Sequence, residues 1–162
     1  MESFAPNRPT PAQGEGPYYK AGSPEKPSLL EDAPTGTRLV VTGRVLDDGG
    51  EPISGAKLDF WQADEKGAYD NHGYRYRGHQ FTPPDGSYQL ETVVPRLYTG
   101  RTRHIHVKVS APGMRELTTQ LYFPNEAANS ADRIFDDRLL LRDVTASEGG
   151  LRGSYDFVLM RA

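Results

Sequence analysis

Glycine and proline cut this chain into short pieces: 17 Gly and 13 Pro fall among 162 residues. The runs between them alternate apolar and polar side chains or are rich in β-branched ones, the pattern of half-buried strands. Turn residues at intervals of roughly ten to twenty positions leave no room for long helices. Residues 37–47 are one such run, closed by Asp48-Gly49-Gly50, and 57–63, 87–92, 104–110, 116–123 and 154–160 are others. Leu58, Phe60 and Trp61 are expected in the core. The pattern allows one short helix, within 125–136. Residues 65–84, full of Gly, Tyr and Arg, read as a long functional loop. Residues 1–37, with seven prolines, read as an extended arm. The expectation is an all-β fold: an antiparallel β-sandwich with long active-site loops and little helix, in a single domain over 1–162.

Composition narrows the function classes. Hydrophobic residues make up 36% and charged residues 25%, values of a globular protein. No apolar run approaches the roughly 20 residues of a membrane helix, so no membrane partner is expected. A net charge of −3 with mixed signs gives no footprint for nucleic acid. Cysteine is absent, which excludes disulfides and thiolate metal sites and leaves the compartment open. Residues 1–13 carry Pro6, Pro9 and Pro11 and no apolar centre, so they do not read as a signal peptide.

Arg101-Thr102-Arg103-His104-Ile105-His106-Val107-Lys108-Val109 sets two histidines two positions apart in an alternating run. On a strand both imidazoles face one side. They could meet a single ion, histidine being the commonest side-chain metal ligand, or they could simply decorate a strand. Tyr69 follows the strand at 57–63, and Tyr98 precedes His104 across Gly100. A loop tyrosine taken alone is commonly a half-buried plug.

Three motifs occur in a fixed order: Glu15-Gly16-Pro17-Tyr18-Tyr19, then Trp61-Gln62-Ala63-Asp64-x-x-Gly67-x-Tyr69, then Pro95-x-x-Tyr98-x-x-Arg101-x-x-His104-x-His106, with Gln120 beyond them. Together they resemble the intradiol ring-cleavage dioxygenases, the family of catechol 1,2-, hydroxyquinol 1,2- and protocatechuate 3,4-dioxygenases. The resemblance implies a non-haem ferric iron held by Tyr69, Tyr98, His104 and His106. It implies a catechol-type substrate and O2 as partners, and a muconate-type diacid as product. Tyr98 would be the ligand that leaves when the diol binds, and Tyr69 the one that stays. Arg101 would stabilise negative charge on the substrate ring, Gln120 would orient a ligand or intermediate, and Gly14, Pro17 and Tyr18 would line the substrate pocket. The chemistry of the residues agrees: a free phenol has a pKa near ~10, and a trivalent cation stabilises its phenolate. Two histidines and a carboxylate would instead suggest ferrous iron.

The chain also departs from the family. It lacks the long helical amino-terminal segment of catechol 1,2-dioxygenases, its loop from Tyr98 to His104 is short, and it resembles small members made of the catalytic domain alone. Self-association into a homo-oligomer stays open. Tyr18 is bulkier than the aliphatic residue common at that place. His72 and His79 read as rim residues without a metal role. Two rivals remain. Gly43-Arg44-Val45-x-Asp47-x-x-Gly50-x-Pro52-Ile53-x-Gly55-Ala56 is a pattern of transthyretin-like and carboxypeptidase-regulatory-like modules that only bind or stiffen. Zinc hydrolysis by the histidines with a carboxylate would keep the fold and change the metal.

Overall fold

The computed structural model describes residues 8–31, 35–97 and 100–162. Nine strands follow the arm: β1 (Arg38–Asp47), β2 (Lys57–Gln62), β3 (Arg77–Phe81), β4 (Ser87–Val93), β5 (His104–Ser110), β6 (Leu117–Tyr122), β7 (Arg142–Ser147), β8 (Gly150–Ser154) and β9 (Phe157–Leu159). They form two sheets. One runs β3-β2-β5-β6 and is antiparallel throughout. The other runs β4-β1-β8-β7, with β9 also pairing β1. The expected sandwich is therefore present. In its second sheet β1–β4 and β7–β8 are antiparallel, and β1 also pairs β8 and β9 in parallel.

Alternation on β5 sorts its side chains into two layers. Ile105, Val107 and Val109 are fully buried in the core with Leu58 and Phe60 of β2 and Leu39, Val41 and Val45 of β1. Each such side chain contributes about 1.5–3 kcal/mol by leaving water. His104, His106 and Lys108 take the opposite face. The register then aligns one row straight across the first sheet: Arg77 of β3, Trp61 of β2, His106 of β5 and Gln120 of β6. Trp61 thus belongs to this outer face rather than to the core between the sheets. It is still only 2% exposed, because the arm lies over it.

The described part of the arm is anchored to the strands by its backbone. Gln13 N–H donates to Thr118 O, Thr10 N–H to Val158 O, and Lys26 N–H to His79 O. Gly43 explains part of the module-like pattern: a Cβ there would lie 1.8 Å from the Tyr155 carbonyl, where the chain between β8 and β9 crosses β1. Several expectations need correction. Within 125–136 there is no α-helix, only the 3-10 turn Ala127–Ala131. Asn125 has φ 62°, and the Asn129 and Asp132 side chains bond backbone groups elsewhere, which competes with helix formation. The loop at 65–84 contains β3. The strand expected at 154–160 is split between β8 and β9. The β7–β8 hairpin escapes the pattern because β7 is polar and largely exposed and β8 carries Gly150 and Gly153. No helix of the described residues is long and apolar enough to cross a membrane.

Candidate metal centre and active site

The two imidazoles of β5 converge. His104 Nε2 and His106 Nε2 lie 3.1 Å apart, and the Tyr69 hydroxyl lies 3.3 Å from the first and 3.0 Å from the second. His104 Nδ1 sits 2.7 Å from Thr102 O. A carbonyl only accepts, so Nδ1 carries the proton and Nε2 presents a bare lone pair. Burial, with Arg101 nearby, pulls His104 down to about 4. Burial, then His104, Arg101 and Arg77, pulls His106 well below its ordinary value. Both rings are therefore neutral near pH 7. His106 stacks on Trp61, with centroids 4.8 Å apart and planes 5° apart, and Tyr19 meets Trp61 edge-on at 4.8 Å.

Three heteroatoms thus face one another across about 3 Å, and one of the two imidazoles keeps an unsatisfied nitrogen. The phenol can donate to only one nitrogen, and His106 Nδ1 is buried with no hydrogen-bond partner among the described residues. A cation at the focus would use these lone pairs. One phenol oxygen and two neutral imidazoles, with no thiolate, suit a hard or borderline Lewis acid. Among the described residues no cluster of three His, Cys, Asp or Glu exists, so no carboxylate joins the imidazoles as zinc hydrolysis would need. The donor set present fits ferric iron. Tyr98 lies outside the described residues.

Tyr69 reaches this point through a tight turn after β2. Asp64 Oδ1 accepts from Lys66 N–H and Ala68 N–H, at 2.8 and 2.9 Å. Gly67 has φ +89°, and a Cβ there would lie 2.9 Å from Leu97 O, so the Asp64-x-x-Gly67-x-Tyr69 spacing is a backbone requirement. The Tyr18 ring stacks on Tyr69 at 4.4 Å and 15°. Beyond Tyr69 the Asp70 carboxylate accepts from the N–H groups of Gly73, Arg75 and His72, which hold it well below the usual carboxylate range.

Arg101 is held in a polar network. Its Nη2 donates to Gln120 Oε1 at 2.7 Å and to the Tyr122 hydroxyl at 3.1 Å, and its Nε to Asp132 Oδ2 at 2.8 Å. Gln120 Nε2 donates to Gly14 O at 3.1 Å, and the Tyr122 hydroxyl to Gln13 Oε1 at 2.6 Å. Burial pushes Tyr122 up to about 12, so it stays a neutral phenol. The Asp132 side chain is fully buried and also accepts from Thr102 N–H at 2.8 Å and Ile134 N–H at 3.1 Å. Arg103 turns away to Glu126.

The structure brings Tyr69, His104, His106, Arg101, Gln120, Gly14 and Tyr18 into one connected region, with Pro17 in the same arm. His79 serves the arm instead: its Nδ1 lies 3.1 Å from Ser23 Oγ, which donates to Asp59 Oδ1 at 2.8 Å. His72 sits exposed on the loop. Asp132, Tyr122, Trp61 and Arg77 were not foreseen as site residues. Tyr122 had a signal, since it stands two residues from Gln120 on the same strand face; Arg77 had none.

Acid should unfold the metal-free protein in a defined window. Unfolded histidine titrates near 6.5 and folded His104 at about 4. Between these values the unfolded chain binds more protons, so stability present above 6.5 is lost as pH falls through the window. Asp132 and Asp70, both held low, extend the loss in the same direction at lower pH. The urea midpoint should therefore drop from pH 7 to 4.5. In a His104→Gln/His106→Gln double variant that slope should flatten; an unchanged slope would contradict the assignment.

Known proteins share this architecture. The family model described as Dioxygenase matches residues 14–160. The dioxygenase domain of a dioxygenase–carbohydrate-binding protein fusion from Streptomyces sp. SirexAA-E is 53% identical with a TM-score of 0.92, over 96% of this chain and 100% of that one. The 3-chlorocatechol 1,2-dioxygenase of Rhodococcus opacus 1CP is 32% identical with a TM-score of 0.88, over 97% of this chain and 74% of that one. Hydroxyquinol 1,2-dioxygenase of Rhizobium sp. (strain MTP-10005) is 29% identical over 90% of this chain and 63% of its own length. The chain spans between 45% and 69% of the length of such curated relatives.

Proposed function

The chain belongs to the dioxygenase family whose model covers residues 14–160, and from that premise we propose that it is an intradiol dioxygenase acting on catechol-type 1,2-diols. The reaction adds both atoms of O2 across the bond between the hydroxylated carbons and yields a cis,cis-muconate-type diacid. The observation that carries this reading is the meeting of the Tyr69 hydroxyl with His104 Nε2 and His106 Nε2 within 3.3 Å. In this proposal Tyr69, Tyr98, His104 and His106 hold a non-haem ferric iron, and the two sheets and arm act as one catalytic domain.

Ferric iron supplies a Lewis acid that accepts electron density from the deprotonated diol and orients it. The residues of the chain do the rest. Tyr98 takes a proton from the diol on its phenolate oxygen. Tyr69 stays in place, stacked under Tyr18. The Arg101 guanidinium, fixed by Asp132 and Gln120, would be the positive charge that stabilises negative charge developing on the ring. Gln120 links that guanidinium to Gly14 O of the arm, accepting from Arg101 Nη2 and donating to the carbonyl. The tight cover of Tyr18, Tyr19 and Trp61 excludes water from the imidazoles.

The binding-module alternative is not favoured. The stretch 43–56 that suggested it builds β1 and the connection into β2, a scaffold that serves either reading, whereas the named relatives are enzymes. Oxygen uptake across plain, hydroxylated, carboxylated and chlorinated catechols tests the proposal. Turnover of at least one, with the ultraviolet spectrum of a muconate, is expected. Uptake with none of them, or an extradiol product spectrum, would contradict it.

A further inference from the structure

We propose that Arg77 is the positioning residue of Tyr69, clipping the arm and the loop after Tyr69 together on either side of that ring. The inference rests on the reading of Tyr69 as a metal ligand.

Arg77 ends the cross-sheet row that passes through Trp61 and His106 to Gln120. It is only 2% exposed, yet it forms no ion pair with any described residue. Instead its Nε donates to Asp70 O at 3.0 Å and its Nη1 to Tyr18 O at 2.5 Å. Asp70 directly follows Tyr69 in the chain, and the Tyr18 ring lies flat on the Tyr69 ring. One planar guanidinium therefore grips the backbone on both sides of the same aromatic ring, and its own carbon lies 6.0 Å from the ring centroid.

Burying a guanidinium against carbonyls is costly. The neighbouring Asp70 carboxylate offsets part of the cost through its field, but its oxygens already accept from three backbone N–H groups. The core between the sheets does not need this arginine, since β3 presents it on the outer face. What the arrangement does secure is the distance between Tyr18 and the loop that carries Tyr69. The fork geometry is essential: a lysine ammonium is a point donor on a flexible stem and cannot hold the two carbonyls in one plane.

The test uses the full chain carrying Arg77→Lys or Arg77→Met, with Arg115→Met as a remote control. In the metal-free protein, amide hydrogen exchange over 69–76 and 16–20 is expected to rise together by about tenfold, with β5 unchanged. After loading with ferric iron, release to a chelator is expected to be about tenfold faster, and the visible tyrosinate band to broaden. Lysine should not rescue. Exchange and release at the parental rates in both variants would overturn the proposal, as would a uniform rise in exchange across all strands, the mark of a general packing role. If the parent protein itself shows no tyrosinate band with ferric iron, the metal reading fails. The exchange in the metal-free protein still decides whether the clip exists.

Discussion

His106→Ala is expected to lose iron and turnover together while the metal-free protein stays nearly as stable as its parent. His106 supplies one of the two Nε2 atoms that face Tyr69, and no described side chain stands ready to replace it. Altering groups that merely support a metal ligand costs about 10- to 100-fold in affinity, so removing a ligand should cost more than about 100-fold. Stability has two opposing terms. Deleting the ring opens a cavity beside Trp61, worth roughly 2 kcal/mol or more. It also removes a buried Nδ1 with no partner among the described residues, worth about 1–3 kcal/mol in the other direction. The net change should stay within about 1 kcal/mol by urea unfolding. Retained stoichiometric iron in the variant would remove His106 from the ligand set.

Asp132→Asn should reverse the pattern in iron and stability, keeping iron while losing stability, and should also lose rate. Its carboxylate is fully buried and serves Arg101 Nε, Thr102 N–H and Ile134 N–H at once. An amide oxygen can accept some of these bonds, but the charge that balances Arg101 is gone. Breaking a buried pair costs about 3–5 kcal/mol, and the Arg101 side chain, 24% exposed, recovers part of that from water, so roughly 2–3 kcal/mol is expected. With its Nε released, the guanidinium no longer has a fixed plane at Gln120, and kcat should fall by about 10- to 100-fold. Urea unfolding, iron content and turnover measured on one preparation separate the effects. Unchanged kcat with lowered stability would make Asp132 a packing residue only.

The parts of this site that were legible in the chain are those set by strand periodicity and motif spacing. His104 and His106 had to share a face once β5 was a strand, and the Asp64-x-x-Gly67-x-Tyr69 spacing singled out Tyr69 through the family resemblance. What could not be read was registry. Nothing local says that Trp61 sits opposite His106, or that Arg77 and Gln120 close the same row, because pairing is chosen between distant segments. Trp61 was expected in the inter-sheet core because its size and apolarity suit that place, yet the arm gives its outer face an equally dry cover. Asp132 was hidden in a stretch expected to hold a short helix, where its side chain instead accepts from Thr102 N–H and Arg101, about thirty residues earlier. The β7–β8 hairpin was invisible for a different reason: a polar edge strand carries almost no hydrophobic signal.

In the proposed centre, the phenol oxygen of Tyr69 and two imidazole nitrogens, with Tyr98 as the fourth donor, would hold a single ferric ion. Anomalous X-ray scattering at the iron edge, from crystals of protein loaded with one equivalent of ferric iron, measures this directly. One peak is expected, within bonding distance of Tyr69 Oη, His104 Nε2 and His106 Nε2. A peak bonded to other residues, or no ordered peak in crystals whose iron content is stoichiometric, would contradict the account.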